Sequence, residues 1–486
     1  MNQHQKNIEK AMNVIKNNKD VVALGKFRQK FHLMPEAGWM NDPNGFCYYK
    51  GKYHLFYQAN PYSSNWGSMH WAHAVSEDLS TWTHLPIALA PSEAYDQDFR
   101  GGCFSGNCIV VEDRLYVMYT GAIVKENKHI QQQCLAYSDD GVIFHKYENN
   151  PVITPEPHHD PSCFRDPKVF LHNETYYCII GSSINQDGTI ELYKSKDLKS
   201  WDYCGILCQG DKKYGYMWEC PDFFPLGDKY VLVVSPMGLG EKQVVYFTGD
   251  MDFEKEKFTI ERSEVVDFGF DFYAPQTVLS PDGESYMIGW QNSWAWMPWF
   301  QSHGPSTSEN WCGSMSIPRK IKLKEDGSLA FTPADSVKKL FSPKSIEKEM
   351  KISEKSNNLN PDSLEQYHLS FQVDTSGLKT FSIELCASSY ERTLISVNME
   401  DNIVTYDRAQ GFMDAKGKRE IPLHLEENAA VRFEIFLDTS NIEFFINDGL
   451  IACSNNTFHD KSSTELYFTG NTEFLVKNFQ LSTLSS

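Results

Sequence analysis

The sequence predicts an all-β protein: a five-bladed β-propeller followed by a C-terminal β-sandwich, with a short N-terminal helix. Two internal repeats and one change of texture carry that prediction. A punctuation of Ser-x-Asp, small turn and aromatic recurs at Ser76-Glu77-Asp78-Leu79 to Trp82, Ser138-Asp139-Asp140-Gly141 to Phe144, and Ser195-Lys196-Asp197-Leu198 to Trp201. A weaker copy is Thr248-Gly249-Asp250-Met251 with Phe253. A strand-rich unit repeating about every 55 residues is what one four-stranded blade per repeat produces. The beginnings of the units also recur, as Asp42, Phe104-Ser105, Arg165-Asp166, Glu219 and Tyr273-Ala274, with Pro43, Pro167, Pro221 and Pro275 close behind four of them. In a propeller the first strand of each blade lines the axis, so these positions should converge at one mouth of the channel.

Taken in order, residues 1–32 form an N-terminal helical segment. Ile8, Ala11, Met12 and Ile15 fall at i, i+3, i+4 and i+7, one apolar face. That face is expected to pack on the outside of the main domain; docking of a partner is the alternative. Residues 33–335 make the five blades. The first unit opens with Trp39-Met40-Asn41-Asp42-Pro43-Asn44-Gly45. Pro43 forces the residue before it into an extended conformation, and Asn44-Gly45 suits the positive φ of a tight hairpin turn. Asp42 should therefore end a strand just before a hairpin, facing a cleft; an Asx-type turn that caps local backbone is the other reading. Residues 336–363, rich in Lys, Glu, Ser and Asn, read as a linker with a short helix. From 364 to 486 alternation returns, with Tyr367, Leu369, Phe371 and Val373 on one face and Phe381, Ile383 and Leu385 on another. Asn447-Asp448-Gly449 joins two strands as a hairpin, and the set suggests a sandwich.

The bulk composition narrows the function. The chain has 486 residues and a formal net charge of −19, without long basic runs, which argues against nucleic acid and anionic membranes as partners. It has no apolar run long enough to span a bilayer and no apolar signal core near the start. Its 12 cysteines show no zinc spacing and read as reduced, buried thiols. A cytoplasmic protein needing no metal or cofactor is the simplest expectation. Thirty-one Phe, 24 Tyr and 11 Trp supply strand formers and also sugar-stacking faces. The sandwich and the helix both offer surfaces for a homo-oligomer.

Three of the five converging positions carry acids. Charges crowded on an axis cost stability unless they serve a site. Glycoside hydrolysis needs one carboxylic acid to protonate the leaving oxygen and a second carboxylate on the opposite face. Asp42, in its tight turn, suits a carboxylate kept ionised by backbone N–H donors. Glu219, between Trp218 and Cys220-Pro221, has an apolar setting that would keep it protonated as general acid. Asp166 follows Arg165 and should stay charged. Each acid alone would read first as a surface turn or an ion pair; it is the three at matching repeat positions that point to a site.

The chain resembles glycoside hydrolase family 32, the invertases, fructanases and sucrose-6-phosphate hydrolases. Its three signatures stand as Trp39-Met40-Asn41-Asp42-Pro43-Asn44-Gly45, Phe164-Arg165-Asp166-Pro167 and Trp218-Glu219-Cys220-Pro221-Asp222. The resemblance implies Asp42 as nucleophile, Glu219 as acid/base and Asp166 as transition-state stabiliser. It also implies fructose contacts from Trp39, Asn41, Gln58, Trp66, Phe104, Ser105 and Arg165, with Tyr273 and Trp290 at the same pocket. Trp66 has a reason of its own, since an aromatic face stacks on the apolar side of a sugar ring; ordinary packing would also account for it. Sucrose, sucrose 6-phosphate and short fructans share this machinery, as does fructosyl transfer. A carbohydrate-binding propeller without turnover and a protein-docking scaffold are the readings from other classes.

Overall fold

The computed structural model describes residues 2–411, 416–423 and 430–485. Five antiparallel sheets follow one another along the chain, and each begins with the strand nearest the axis. These innermost strands are Gly38–Tyr49 in blade I, Gly102–Val111 in blade II, Phe164–His172 in blade III, Met217–Leu226 in blade IV and Tyr273–Leu279 in blade V. Each contacts the next, and the fifth contacts the first, so the ring closes. Trp311–Cys312 seals it by pairing in parallel with Gly38 and Trp39 of blade I. Ile, Val, Leu and aromatic side chains fill the spaces between blades, as at Ile179, Ile190, Leu232 and Phe247.

The Ser-x-Asp repeats are turns that satisfy their own backbone. Ser76 Oγ accepts the Leu79 N–H at 2.8 Å, while Asp78 takes those of Ser80 and Thr81 at 2.8 and 2.9 Å. Ser138/Asp140 and Ser195/Asp197 do the same. The weak fourth copy lies two residues later than expected: Asp250 is a strand residue, and Asp252 accepts the Glu254 and Lys255 N–H groups.

The helix spans Gln3–Val22, with Asn2 as its N-cap. Ala11 is fully buried, and Ile8, Met12 and Ile15 pack with it against Leu55, Ala72 and Ile87 of blade I. That apolar face is consumed within the chain, which removes the docking alternative.

The expected linker is corrected by the structure. After the short helix Asp335–Lys338, residues Phe341–Ile352 form a strand that pairs along its length with Phe474–Leu484. It is an edge strand, and its many exposed Lys and Glu side chains concealed it, because charge on an edge is how sheets avoid unwanted pairing. The sandwich therefore has a six-stranded and a five-stranded sheet, enclosing Tyr367, Leu369, Phe371, Phe381, Ile383 and Leu385. Asn447, Asp448 and Gly449 all have positive φ, as a primed hairpin turn requires.

Candidate active site

Each innermost strand carries a β-bulge at the same height. The pairing register slips between Met40 and Pro43, Phe104 and Gly106, Arg165 and Lys168, Glu219 and Asp222, and Tyr273 and Gln276. In four of the blades a proline explains it: proline lacks the N–H a regular ladder needs, and a bulge on the axial edge tolerates that loss. Aligned on Pro43, Pro167, Pro221 and Pro275, Asp42, Asp166, Cys220 and Ala274 stand at one level, with Ser105 in the slip of blade II. Asn41, Phe104, Arg165, Glu219 and Tyr273 occupy the level before it. Asp166, Cys220 and Ala274 hold φ of 65°, 47° and 51°, a left-handed conformation that turns their neighbours toward the channel mouth.

Two expectations about Asp42 change here. Its strand does not end at Pro43 but runs to Tyr49, and the hairpin comes at Lys50-Gly51. Gly45 takes the expected positive φ of 53°, in a second register slip rather than a turn. Side chains, not backbone N–H groups, hold the carboxylate: Ser105 Oγ donates to Oδ2 at 2.7 Å, and Cys220 Sγ lies 3.4 Å from the same atom. Oδ1 is buried and has no hydrogen-bond partner among the described residues. Burial pushes this carboxyl above the usual carboxylate range, against the pull of Ser105.

Glu219 does not sit in an apolar pocket. Arg165 grips its Oε1 with Nη2 at 2.8 Å and Nε at 3.1 Å, and Tyr273 donates to Oε2 at 2.5 Å. The three come from consecutive blades at equivalent bulge positions, which is why they meet. Asp166 is the other correction. The Arg165 fork faces Glu219, leaving Asp166 Oδ2 at 4.0 Å. Burial carries the Asp166 carboxyl up to about 7; Arg165 opposes this, and the charges of Glu219 and Asp42 add to it. Asp166 Oδ2 accepts the Cys220 N–H at 2.8 Å and lies 3.4 Å from Cys220 Sγ.

The remaining predicted residues divide into two groups. Trp66 is exposed at the mouth, edge-on to half-buried Phe104 at 6.0 Å. Asn41 and Gln58 lie buried close by, Asn41 accepting from Trp39 Nε1 at 2.7 Å and Gln58 donating to the Cys103 carbonyl at 2.9 Å. Trp39 and Trp290 are fully buried, packed on each other and on Trp294. They support the site from behind and do not present a face to it, because the segment around Trp294–His303 covers them.

Sequence reasoning missed Cys220, which bridges two of the acids. Aligning the repeats on Asp42-Pro43, Asp166-Pro167 and Cys220-Pro221, rather than on the acids, would have found it. Gln131 was also missed; it accepts from Arg165 Nη1 at 3.2 Å. Two residues deeper, a second ring of buried polar side chains (Asn44, Asn107, Lys168, Asp222 and Gln276) ties the blades together. Lys168 reaches Asp222 at 2.6 Å, and Asp222 accepts the Thr277 N–H at 2.5 Å, which links blades III, IV and V.

Comparison with known proteins decides the family. The N-terminal domain of glycosyl hydrolases family 32 matches residues 32–333, and the C-terminal domain of that family matches 336–483. The chain belongs to glycosyl hydrolase family 32. It is 36% identical over 463 residues to a sucrose-6-phosphate hydrolase of Zymomonas mobilis, covering 89% of this chain and 87% of that one. Among solved structures it is similar to a sucrose-6-phosphate hydrolase of Lactobacillus gasseri, with a TM-score of 0.86, 28% identity and coverage of 98% and 96%. It is also similar to a variant of a family 32 β-fructofuranosidase of Bombyx mori in complex with sucrose, with a TM-score of 0.84, 31% identity and coverage of 98% and 97%. As a family 32 enzyme, the chain is a β-fructofuranosidase.

Proposed function

We propose that this enzyme cleaves terminal non-reducing β-D-fructofuranosides, sucrose and sucrose 6-phosphate first among them, by double displacement. The observation that carries the mechanism is the unequal treatment of the two Asp42 oxygens. Ser105 and Cys220 hold Oδ2, while Oδ1 accepts nothing from the described residues and is left to bond the anomeric carbon. Glu219, steadied by Arg165 and Tyr273, gives a proton to the departing oxygen. In the second step it takes a proton from water, which displaces fructose from Asp42 with overall retention. Asp166, beside both, accepts hydrogen bonds from fructose hydroxyls as the ring flattens.

Burial raises the carboxyls of Asp42 and Asp166 above the usual carboxylate range, and the charges of the neighbouring acids add to it. A binding module would gain nothing from that arrangement. A cytoplasmic setting fits the reading, since all twelve cysteines are unpaired. The test is a panel of sucrose, sucrose 6-phosphate, raffinose and inulin, run on wild type and Glu219→Gln. The variant should bind substrate normally while kcat falls roughly 10³-fold. Sucrose hydrolysis at the wild-type rate by Glu219→Gln would overturn the acid/base assignment.

A further inference from the structure

We propose that an overhanging edge of blade II, built around Arg100 and His129, binds a phosphate group carried by the leaving-group sugar. The proposal rests on the β-fructoside reading above and specifies what accepts the other half of the substrate.

The overhang follows from the strand pairing. The second strand of blade II, Arg114–Lys125, stays paired with the innermost strand only as far as Ala122 opposite Gly102. Its pairing with the third strand, Lys128–Ser138, continues to Lys125 opposite Lys128. Three residues thus project past the channel mouth, about 10 Å of hairpin at strand rise. Gln131 on the third strand touches Arg165, and so marks the height of the acid/base group. His129 is two residues farther out in unbroken register, hence on the same face and about 7 Å higher. It is exposed to solvent.

A loop brings Arg100 to this hairpin. Asp98 Oδ2 accepts the N–H of Val124, the residue paired opposite His129, at 2.8 Å. Asp98 Oδ1 accepts the Arg100 N–H at 2.9 Å and stands 3.7 Å from Arg100 Nε. The same loop lies against the aromatic side of the mouth, because Ser68, two residues after Trp66, donates to the Phe99 carbonyl at 2.8 Å. Partial burial lowers the His129 imidazole below its ordinary range, and the Arg165 and Arg100 guanidiniums lower it further, so both bear on this one ring. The nearby carboxylate, Asp98, opposes them, while it also accepts two backbone N–H groups and holds Arg100 beside the ring.

Glu219 protonates the oxygen that leaves, so the departing sugar must extend outward from Glu219 and Arg165, past Gln131 and toward His129. A phosphomonoester on that sugar would meet the fork of Arg100 and an imidazole that gains its proton as the anion arrives.

The experiment compares wild type, Arg100→Gln, His129→Gln and the double variant on sucrose and sucrose 6-phosphate, with glucose 6-phosphate and glucose as inhibitors. The expected result is a 10- to 100-fold rise in KM for sucrose 6-phosphate at unchanged kcat. The sucrose kcat/KM should stay within about twofold, and the advantage of glucose 6-phosphate over glucose as inhibitor should disappear. Added salt should weaken the wild-type preference in the same direction. Equal losses on both substrates would mean a structural role and overturn the site. So would sucrose cleavage with no preference for the phosphorylated substrate in wild type. Failure of wild type to cleave either substrate would instead overturn the underlying reading.

Discussion

Arg165 is where the residue-level chemistry concentrates. Its guanidinium makes two hydrogen bonds to one oxygen of Glu219 and stands farther from the acid next to it in sequence. Lysine offers a point charge without the fork. Arg165→Lys should therefore lower kcat 10²- to 10³-fold at modest cost to KM. Asp166 gives a prediction of opposite signs for stability and activity. Its folded pKa, up to about 7, is above the unfolded value, so its contribution to stability is fully present below about pH 4 and is lost as pH rises through 7. Asp166→Asn should abolish most activity yet stabilise the fold at pH 8 by on the order of 2–4 kcal/mol, read as a higher melting temperature. At pH 4 that gain should vanish. The identity of these acids was legible in the sequence, but their partners were not. Arg165 adjoins Asp166 along the chain, yet the bulge turns the two side chains apart.

At the scale of elements, the bulged innermost strand is the unit that repeats. The five slips in register, four of them marked by proline, set ten side chains at two levels around the mouth. The glycines of this region serve close approach. A Cβ on Gly106 would fall 2.1 Å from the Met118 carbonyl oxygen, and one on Gly181 would fall 2.1 Å from that of Trp218. Gly181→Ala should accordingly cost several kcal/mol or force blade III from blade IV, with lost activity as the visible result. The N-terminal helix is separable from the chemistry. Ala11→Asp places a charge in its fully buried seam against blade I and should lower the melting temperature by several degrees. The kcat measured at 25 °C should stay near wild type; a large fall would tie the helix to the site.

The whole molecule is two β bodies joined by buried charge. Arg319 of blade V, with no exposure to solvent, bonds Asp267 and the sandwich residue Glu443, each at 2.8 Å. His32, ahead of blade I, sits between Asp438 and Glu443 at 2.8 and 3.0 Å. Arg408 of the sandwich reaches Asp271 at 2.7 Å. Around them Val233, Tyr246 and Phe331 of the propeller pack on Phe341, Phe436 and Phe445. Burial alone would lower the His32 pKa, but hydrogen bonds to Asp438 and Glu443 outweigh it and raise it to about 9. A raised folded pKa gives stability that is complete below about pH 6.5 and is lost as pH rises through 9. Wild type should lose about 3 kcal/mol across that window in urea titrations, and His32→Gln should start less stable and show a flatter slope. A wild-type slope unchanged by the substitution would mean that His32 is not the titrating group.

The sequence by itself determined the class of fold, the number of blades and the three acids. These follow from local chemistry: strand alternation, Asx turns and prolines act over a few residues, and repetition makes them visible. Only the tertiary structure decided that Glu219 pairs with Arg165, that Cys220 lies between Asp42 and Asp166, and that Trp39 and Trp290 stand behind the site. It also decided that Phe341–Ile352 is a sandwich strand and that the mouth overhang carries Arg100 and His129. Those outcomes depend on which residues of different blades share a height around the axis. That height is set by a one-residue slip in pairing, a distinction of about 3.4 Å that composition and spacing do not register.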